Sequence, residues 1–176
     1  MNIANKITLV RLFLIPVFVI VFMIEGRSMN IAAIIFIVAS LTDALDGHLA
    51  RSRNLITNFG KFVDPLVDKV LTMAAFLVLV EDGTIAAWSV IIIISRELII
   101  TGFRTLAADS GITIAASMWG KAKTTSQMIA LVLLLLNSQL LNGIGMYVYY
   151  LAVILTVISG VDYLVKNKKV LDLENI

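Results

Sequence analysis

Six apolar runs, each long enough to form a membrane-spanning helix, take up most of this 176-residue chain. About 20 consecutive apolar residues are needed for a helix to cross a bilayer. The runs lie at about 7–25, 30–51, 62–81, 84–107, 121–140 and 144–166. Hydrophobic residues make up 60% of the chain, above the roughly 45–50% that is usual for soluble domains. The sequence therefore predicts an all-α fold, an integral membrane bundle of six transmembrane helices, with residues 1–176 forming a single domain.

Lysine and arginine residues are concentrated at one end of these runs. Only Arg27 falls at the other end, while Lys69 and Arg96 lie deeper within runs. Cytoplasmic loops of membrane proteins carry an excess of Lys and Arg. We therefore expect both termini in the cytoplasm, in a multi-pass protein of the cell membrane. The net charge of +2 is too small to indicate a nucleic-acid partner.

Four aspartates lie between the apolar segments IAAIIFIVASL and VLTMAAFLVLV, where the second run ends and the third begins. Asp43 and Asp46 are three residues apart, and Asp64 and Asp68 are four apart, so each pair falls on one face of a helix. Carboxylates so close to lipid are costly unless cations neutralise them. Oxygen ligands in this number suit Mg²⁺, Mn²⁺ or Ca²⁺. Two such ions would form a clamp for a phosphoryl group, with the active site at the cytoplasmic side.

Two other interpretations of these aspartates remain open at this point. In the first, the carboxylates pair with the nearby cations Arg51, Arg53, Lys61 and Lys69 as a cytoplasmic charge cap. In the second, they bind a divalent cation that the protein transports. The neighbouring segments IAAIIFIV and AAFLVLV argue against transport, because they offer no polar side chain to continue an ion path across the membrane.

The aspartates form part of the pattern D-x2-D-G-x2-A-R-x8-G-x3-D-x3-D, and in this pattern the chain resembles the CDP-alcohol phosphotransferase family. All eight specified positions are filled, by Asp43, Asp46, Gly47, Ala50, Arg51, Gly60, Asp64 and Asp68. The chain length and the six predicted spans also match the family's catalytic core, so the resemblance covers essentially the whole chain. It implies a CDP-linked lipid as donor, attack of an oxygen nucleophile on its β-phosphorus, and departure of CMP.

The resemblance also implies roles for individual residues. Asp43, Asp46 and Asp64 would bind two divalent ions, Mg²⁺ or Mn²⁺. Asp68 would bind the second ion and act as the general base that takes the proton of the acceptor hydroxyl. The CDP-lipid would be held by Asn5, Thr8, Gly47, Ala50, Arg51 and Gly60. By the resemblance Arg11, which shares one face of the first helix with Asn5 and Thr8, would also help to hold the CDP group. All three would look similar if they were plain helix-cap residues.

Within the family, four segments resemble the branch that joins sn-glycerol 3-phosphate to CDP-diacylglycerol. The segments are NKITLVR, FVDPLVDK, ISRELIITGFR and WGKAKTTSQM. A phosphorylated acceptor needs a cluster of cations, and the candidates for binding its phosphate are Lys61, Arg96, Arg104, Lys121 and Lys123. Other acceptors remain open, namely inositol phosphate, serine or phosphatidylglycerol. The resemblance further implies a homodimer.

The basic residues also have simpler interpretations. Arg104, Lys121 and Lys123 would be ordinary charges at the cytoplasmic face, and Arg96 would pair with a motif aspartate. Glu97 is expected to face away from Arg96 and is given no role.

Three further expectations concern residues outside the motif. Aromatic residues near the ends of runs are expected to anchor the protein in the membrane interface; they are Trp88, Trp119, Tyr147, Tyr149 and Tyr150. Asp162 is expected to pair with a lysine of the C-terminal tail. His48 falls at an unspecified motif position, and no metal-binding role is expected for it.

Overall fold

The computed structural model of the protein describes residues 3–52, 58–109, 111, 114 and 117–167. Side chains are described for 8–42, 63, 66–108, 111, 114 and 117–167. The described chain forms six helices and no strand, which confirms the all-α prediction. The helices are α1 (Ile3–Glu25), α2 (Ile31–Ser52), α3 (Asn58–Glu81), α4 (Ala87–Asp109), α5 (Met118–Leu135) and α6 (Gln139–Lys166).

Two of these helices are long and apolar enough to cross a membrane by length and composition. They are the segment Thr8–Glu25 of α1 and the whole of α6, and α2 contributes a shorter apolar segment, Ile31–Thr42. α3 and α4 carry more charged residues than these segments, as expected of helices that bear a polar site. That all six helices cross the membrane therefore stays a prediction, as does the cytoplasmic location of both termini.

The chain divides into two compact units. The first contains Met1–Ile85 and Leu131–Asn142, and the second contains Ala86–Ala130 and Gly143–Ile176. That both units form one domain stays a prediction.

In the first unit, α1 packs against α2 and α3, and α2 also packs against α3. The core contains the rings of Phe18, Phe22 and Phe36, with 5.8 Å between the centroids of Phe18 and Phe36. On α2 the buried positions Ala32, Ala33 and Ala39 are small. Small residues allow helix backbones to approach closely in membrane proteins. This packing brings together the two helices that carry the aspartate motif.

A polar cap around Arg27 closes the opposite end of the first unit. Arg27 Nη2 lies 3.0 Å from Asp82 Oδ2, and its Nη1 donates to the carbonyl oxygen of Leu134 at 3.3 Å. Arg27 thus joins the turn after α1 to the turn after α3 and to the end of α5. Gly26, with φ of 60°, ends α1, because this backbone conformation favours glycine.

We expect Arg27→Met to destabilise the protein by about 1–2 kcal/mol, because it removes a charge-assisted hydrogen bond and leaves partly buried acceptors unpaired. The midpoint of thermal unfolding in detergent should then fall by about 2–8 °C. Lys166→Met is the matched control. Lys166 pairs with Asp162 at 2.7 Å but is 65% exposed, and exposed pairs contribute little. Equal midpoints for the two variants would contradict the stabilising role of Arg27.

In the second unit, polar groups link α4, α5 and α6 within the apolar packing. Ser89 on α4 and Tyr149 on α6 share a hydrogen bond of 2.6 Å between their hydroxyl groups. Gln127 on α5 donates to Thr156 on α6 at 3.4 Å. Interhelical hydrogen bonds of this kind help fix helix register where lipid offers no hydrophobic driving force.

Tyr149 corrects one sequence prediction. It was expected to lie at the membrane interface, but it is fully buried, whereas Tyr147 is 82% exposed. Both residues are tyrosines and lie two positions apart, but they point to different sides of a helix with 3.6 residues per turn. The predicted pairing of Asp162 with a lysine of the tail is confirmed by its ion pair with Lys166.

Candidate active site

The aspartate motif runs along two continuous helices. Positions 43 to 51 belong to α2 and positions 60 to 68 to α3, and these helices pack against each other. The helical backbone therefore places 43 and 46 on one face of α2, and 64 and 68 on one face of α3. Approaching the motif, Ser40 and Thr42 donate to carbonyl oxygens one turn back, at 2.8 and 2.7 Å.

Most motif side chains fall outside the described side chains. This applies to the metal-site candidates Asp43, Asp46 and Asp64, to the CDP-lipid candidates Asn5, Gly47, Ala50, Arg51 and Gly60, and to the acceptor candidate Lys61. The ligand sets predicted for these residues stay predictions.

Asp68 is the motif aspartate whose side chain is described, and it is half-buried on α3. Its backbone carbonyl accepts a hydrogen bond from the hydroxyl of Thr72 at 3.2 Å, and the same hydroxyl donates to the carbonyl of Lys69 at 3.0 Å. Partial burial suits a base, because it limits competition from water while leaving the carboxylate accessible to a substrate.

On α1, Thr8 and Arg11 are buried, with 1% and 0% of their surface exposed. A fully buried guanidinium in an apolar helix is stable only beside anions or other acceptors. Since α1 packs against both motif helices, the burial of this pair is consistent with a polar interior at this end of the first unit. That Thr8 and Arg11 help to hold the CDP-lipid stays a prediction.

The second unit contains a cluster of three charged side chains, which we call the Glu97 cluster: Arg96, Glu97 and Lys123. Glu97 Oε1 accepts from Arg96 Nη1 at 3.2 Å and also from Lys123 Nζ. The exposed fractions are 15% for Arg96, 19% for Glu97 and 3% for Lys123. The structure therefore brings two of the predicted acceptor-binding residues together around one carboxylate.

This cluster overturns the prediction that Glu97 faces away from Arg96. The prediction rested on the 100° turn between neighbouring helix positions, which describes where side chains start. Long side chains such as Arg and Glu can bend back and meet near their ends. Lys123 also departs from the simpler interpretation of an ordinary cytoplasmic charge, because such charges extend into water and Lys123 is buried.

Two glycines border the side chain of Arg96. A Cβ atom added at Gly160 on α6 would lie 3.2 Å from Arg96 Cγ, and one added at Gly120 on α5 would lie 3.6 Å from Arg96 Nη2. The absence of side chains at these positions leaves a slot through which Arg96 extends between the two helices.

The remaining basic candidates have different surroundings. Arg104 Nε donates to the hydroxyl of Tyr163 at 3.0 Å, and its guanidinium carbon lies 5.4 Å from the centre of that ring. This geometry combines a hydrogen bond with a cation–π contact. Lys121 is exposed near the start of α5. The structure thus joins Arg96 with Lys123 and gives Arg104 a partner of its own.

Comparison of the sequence with known proteins identifies its family. The sequence model described as CDP-alcohol phosphatidyltransferase matches residues 1–158. The chain belongs to the CDP-alcohol phosphatidyltransferase family.

Curated relatives in this family match nearly the full chain. One from Bacillus subtilis is 43% identical, covering 99% of both proteins. One from Haemophilus influenzae is 43% identical, covering 93% of this chain and 91% of the relative. One from Rickettsia felis is 33% identical, covering 96% of both. All three are named CDP-diacylglycerol–glycerol-3-phosphate 3-phosphatidyltransferase.

As a member of the CDP-alcohol phosphatidyltransferase family, the protein is a transferase, and the interpretation as a cation transporter is not supported. The residues that sequence reasoning missed are Glu97, Gly120 and Gly160. A signal for Glu97 was present, since an acidic residue beside an arginine within an apolar span needs a partner. The two glycines gave no such signal, because only the packed helices show what approaches them.

Proposed function

We propose that this protein transfers the phosphatidyl group of CDP-diacylglycerol to sn-glycerol 3-phosphate, giving phosphatidylglycerophosphate and CMP. The observation that carries the proposal is the complete family signature on two packed helices, in a chain whose near-full-length relatives bear the name of that reaction. The Glu97 cluster supports the acceptor, because Arg and Lys side chains form strong charge-assisted hydrogen bonds with a phosphate.

The proposed chemistry is a single displacement at phosphorus. A hydroxyl oxygen of glycerol 3-phosphate attacks the β-phosphorus of the donor, and its proton passes to the carboxylate of Asp68. The bond between that phosphorus and the oxygen of CMP breaks, so CMP leaves with the bonding electrons. Asp68 contributes most if it remains ionised beside cations, which stabilise its charged form.

The donor set of the motif fits hard divalent cations. Four carboxylates at helical spacing supply only oxygen ligands, which Mg²⁺ and Mn²⁺ prefer. Among the described side chains, no other group of three His, Cys, Asp or Glu residues could hold a metal ion. Asp43, Asp46, Asp64 and Asp68 would hold two such ions per site. When bound, the ions would neutralise charge on the phosphoryl group in transfer.

The remaining proposals concern the surroundings of the site. The signature residues lie at the cytoplasmic face of a six-span protein of the cell membrane, which the distribution of lysine and arginine supports. Asn5, Thr8, Gly47, Ala50, Arg51 and Gly60 bind the CDP-lipid. Lys61, Arg96, Arg104, Lys121 and Lys123 bind or attract the phosphate of the acceptor. The protein acts as a homodimer, as the family resemblance implies.

The test is release of CMP by the purified protein in detergent with CDP-diacylglycerol and Mg²⁺ or Mn²⁺. Glycerol 3-phosphate, inositol phosphate, inositol and serine are compared as acceptors. Release with glycerol 3-phosphate alone is the expected result. Release with another acceptor alone would keep the signature chemistry and refute the proposed acceptor.

The slot beside Gly160 leads to a prediction about acceptor affinity. Because a Cβ atom there would already lie 3.2 Å from Arg96 Cγ, Gly160→Leu should displace the arginine. Loss of a charge-assisted hydrogen bond costs about 1.5–3 kcal/mol, so KM for glycerol 3-phosphate should rise by about 10- to 100-fold. Steady-state kinetics with each substrate varied in turn would measure this, with KM for CDP-diacylglycerol expected to stay constant.

Gly143 on the same helix provides the control, since an added Cβ atom there would meet nothing within 4 Å. Gly143→Leu should leave both KM values unchanged. Gly160→Ala, a smaller intrusion, should give an intermediate increase. Wild-type kinetics in folded Gly160→Leu would show that the slot does not determine how Arg96 meets the acceptor.

A further inference from the structure

Two arginines of α4 meet the same face of α6. Gly160 and Tyr163 are three residues apart on α6, so they share one face of that helix. A Cβ atom added at Gly160 would lie 3.2 Å from Arg96 Cγ, and Arg104 Nε donates to the hydroxyl of Tyr163 at 3.0 Å. The arginines start about 12 Å apart along α4, whereas the positions they contact are about 4.5 Å apart along α6. The two side chains therefore converge on one part of α6.

Tyr163 is a rigid partner for Arg104. Besides accepting the hydrogen bond, its ring has its centre 5.4 Å from the guanidinium carbon of Arg104. Tyr163 is only 2% exposed, and its ring meets that of Phe103 edge to face, with 5.8 Å between the centroids. Arg104 itself is exposed. A buried ring, fixed by its own neighbours, thus holds a long cationic side chain that remains within reach of a ligand.

The hydrogen bond to Tyr163 uses the inner nitrogen of the Arg104 guanidinium. Nε is bonded to the aliphatic part of the side chain, and the terminal nitrogens Nη1 and Nη2 form the outer edge of the group. An edge of this kind matches two oxygens of a phosphate in a bidentate pair. Because Tyr163 holds Nε, the direction of the outer edge is set before a ligand binds.

We propose that Tyr163 is a positioning residue for the phosphate of the acceptor: it orients Arg104 so that the outer edge of the guanidinium binds a phosphomonoester together with Arg96. This inference rests on the proposed function. Without Tyr163, Arg104 would lose more rotamer freedom when the phosphate immobilises it, and binding would be weaker. Tyr163 does not touch the reacting atoms, so it acts on affinity for the acceptor and not on the chemical step.

The test compares Tyr163→Phe with wild type. Phenylalanine keeps the ring, and with it the contacts to Phe103 and to the guanidinium, but it removes the hydroxyl that holds Nε. We expect KM for glycerol 3-phosphate to rise about 3- to 10-fold, which is the range for ordering one long side chain on binding. In the same variant, kcat at saturating acceptor and KM for CDP-diacylglycerol should change by less than about twofold.

Tyr149→Phe is the matched control. Tyr149 is another buried tyrosine of α6, and its hydroxyl shares a hydrogen bond of 2.6 Å with Ser89. Each substitution removes one hydroxyl from a buried ring, so a loss of stability is expected of both variants. Only Tyr163→Phe should change KM for glycerol 3-phosphate. A lower midpoint of thermal unfolding in Tyr163→Phe, with KM unchanged, would show a purely structural residue and would overturn the proposal.

A double-mutant cycle tests whether Tyr163 acts through Arg104. Arg104→Met keeps an unbranched side chain but removes the guanidinium. When Tyr163→Phe is added to Arg104→Met, KM for glycerol 3-phosphate should rise no further, since residues that act through one another are not additive. Effects that multiply in full would contradict the positioning role. So would a parallel rise in KM for both substrates, which would indicate general damage to the site.

Binding of the acceptor is also followed without turnover, by the thermal stabilisation that glycerol 3-phosphate produces in the absence of the donor. Wild type and Tyr149→Phe should be stabilised over the same range of concentrations. Tyr163→Phe should need about 3- to 10-fold more ligand for the same shift in the unfolding midpoint. Equal concentration dependence in all three proteins would refute the positioning role.

The two levels of the proposal fail in different ways. If wild type uses glycerol 3-phosphate and Tyr163→Phe has the same KM for it, the positioning role is refuted and the proposed function stands. If wild type releases CMP only with an unphosphorylated acceptor, the proposed acceptor is refuted and the role of Tyr163 with it.

Discussion

Asp68→Asn is expected to lower kcat by about 10²- to 10⁴-fold, the usual contribution of a general base. Asparagine matches aspartate in size but cannot accept the proton of the attacking hydroxyl. Because Asp68 is half-buried on a helix whose backbone continues past it, the substitution should preserve the fold. CMP release at saturating substrates gives the loss of rate, and thermal stabilisation by CDP-diacylglycerol shows that much of the donor binding is retained.

The control for Asp68→Asn is the same change at Asp162, whose carboxylate pairs with Lys166 on α6. Asp162→Asn should turn over at close to the wild-type rate. Near-normal turnover in folded Asp68→Asn would remove Asp68 from the role of base. The proposal that Asp43, Asp46 and Asp64 bind the divalent ions would be unaffected by that result.

Removal of divalent cations is expected to abolish CMP release. With EDTA in excess, the four motif carboxylates would face one another without neutralising charge and would repel. Addition of Mg²⁺ or Mn²⁺ beyond the chelator should restore the activity. EDTA already saturated with Mg²⁺ serves as the control and should have no effect.

A second measurement separates metal binding from catalysis. A ligand at 100 times its Kd stabilises the folded state by about 2.7 kcal/mol, which corresponds to about 5–11 °C in the midpoint of thermal unfolding. Chelation should lower the midpoint by an amount of this order, and Asp43→Asn should reduce the effect. Full activity after exhaustive chelation, with an unchanged midpoint, would refute the metal site.

Several features of the fold were predictable because they depend on local sequence. Apolar runs bounded by charged or glycine-containing segments marked all six helices, although α5 ends at Leu135 rather than near residue 140. The polar residues Asn137 and Ser138 form the turn there, and Ser138 donates to the carbonyl of Leu136. Spacing alone also placed the aspartates on two helix faces, because helix periodicity is a property of the backbone.

Other features could not be predicted, because they depend on which helices meet. Tyr149 was expected to lie at the membrane interface, but it is buried and shares a hydrogen bond with Ser89. Periodicity tells which residues share a face, but it does not tell what that face contacts. The same limit applies to Arg27. The sequence shows that Arg27 lies at the opposite end of the runs from most basic residues, but it does not show that Arg27 contacts Asp82 and Leu134.

Residue type and spacing along the chain were enough to predict the helical class, the signature carboxylates and the family. Only the packed helices show that Glu97 lies between Arg96 and Lys123, and that Gly160 leaves room for the arginine. A buried charge is stabilised by whatever group packing brings beside it. That neighbour can lie on another helix, as Lys123 does for Glu97, 26 residues along the chain.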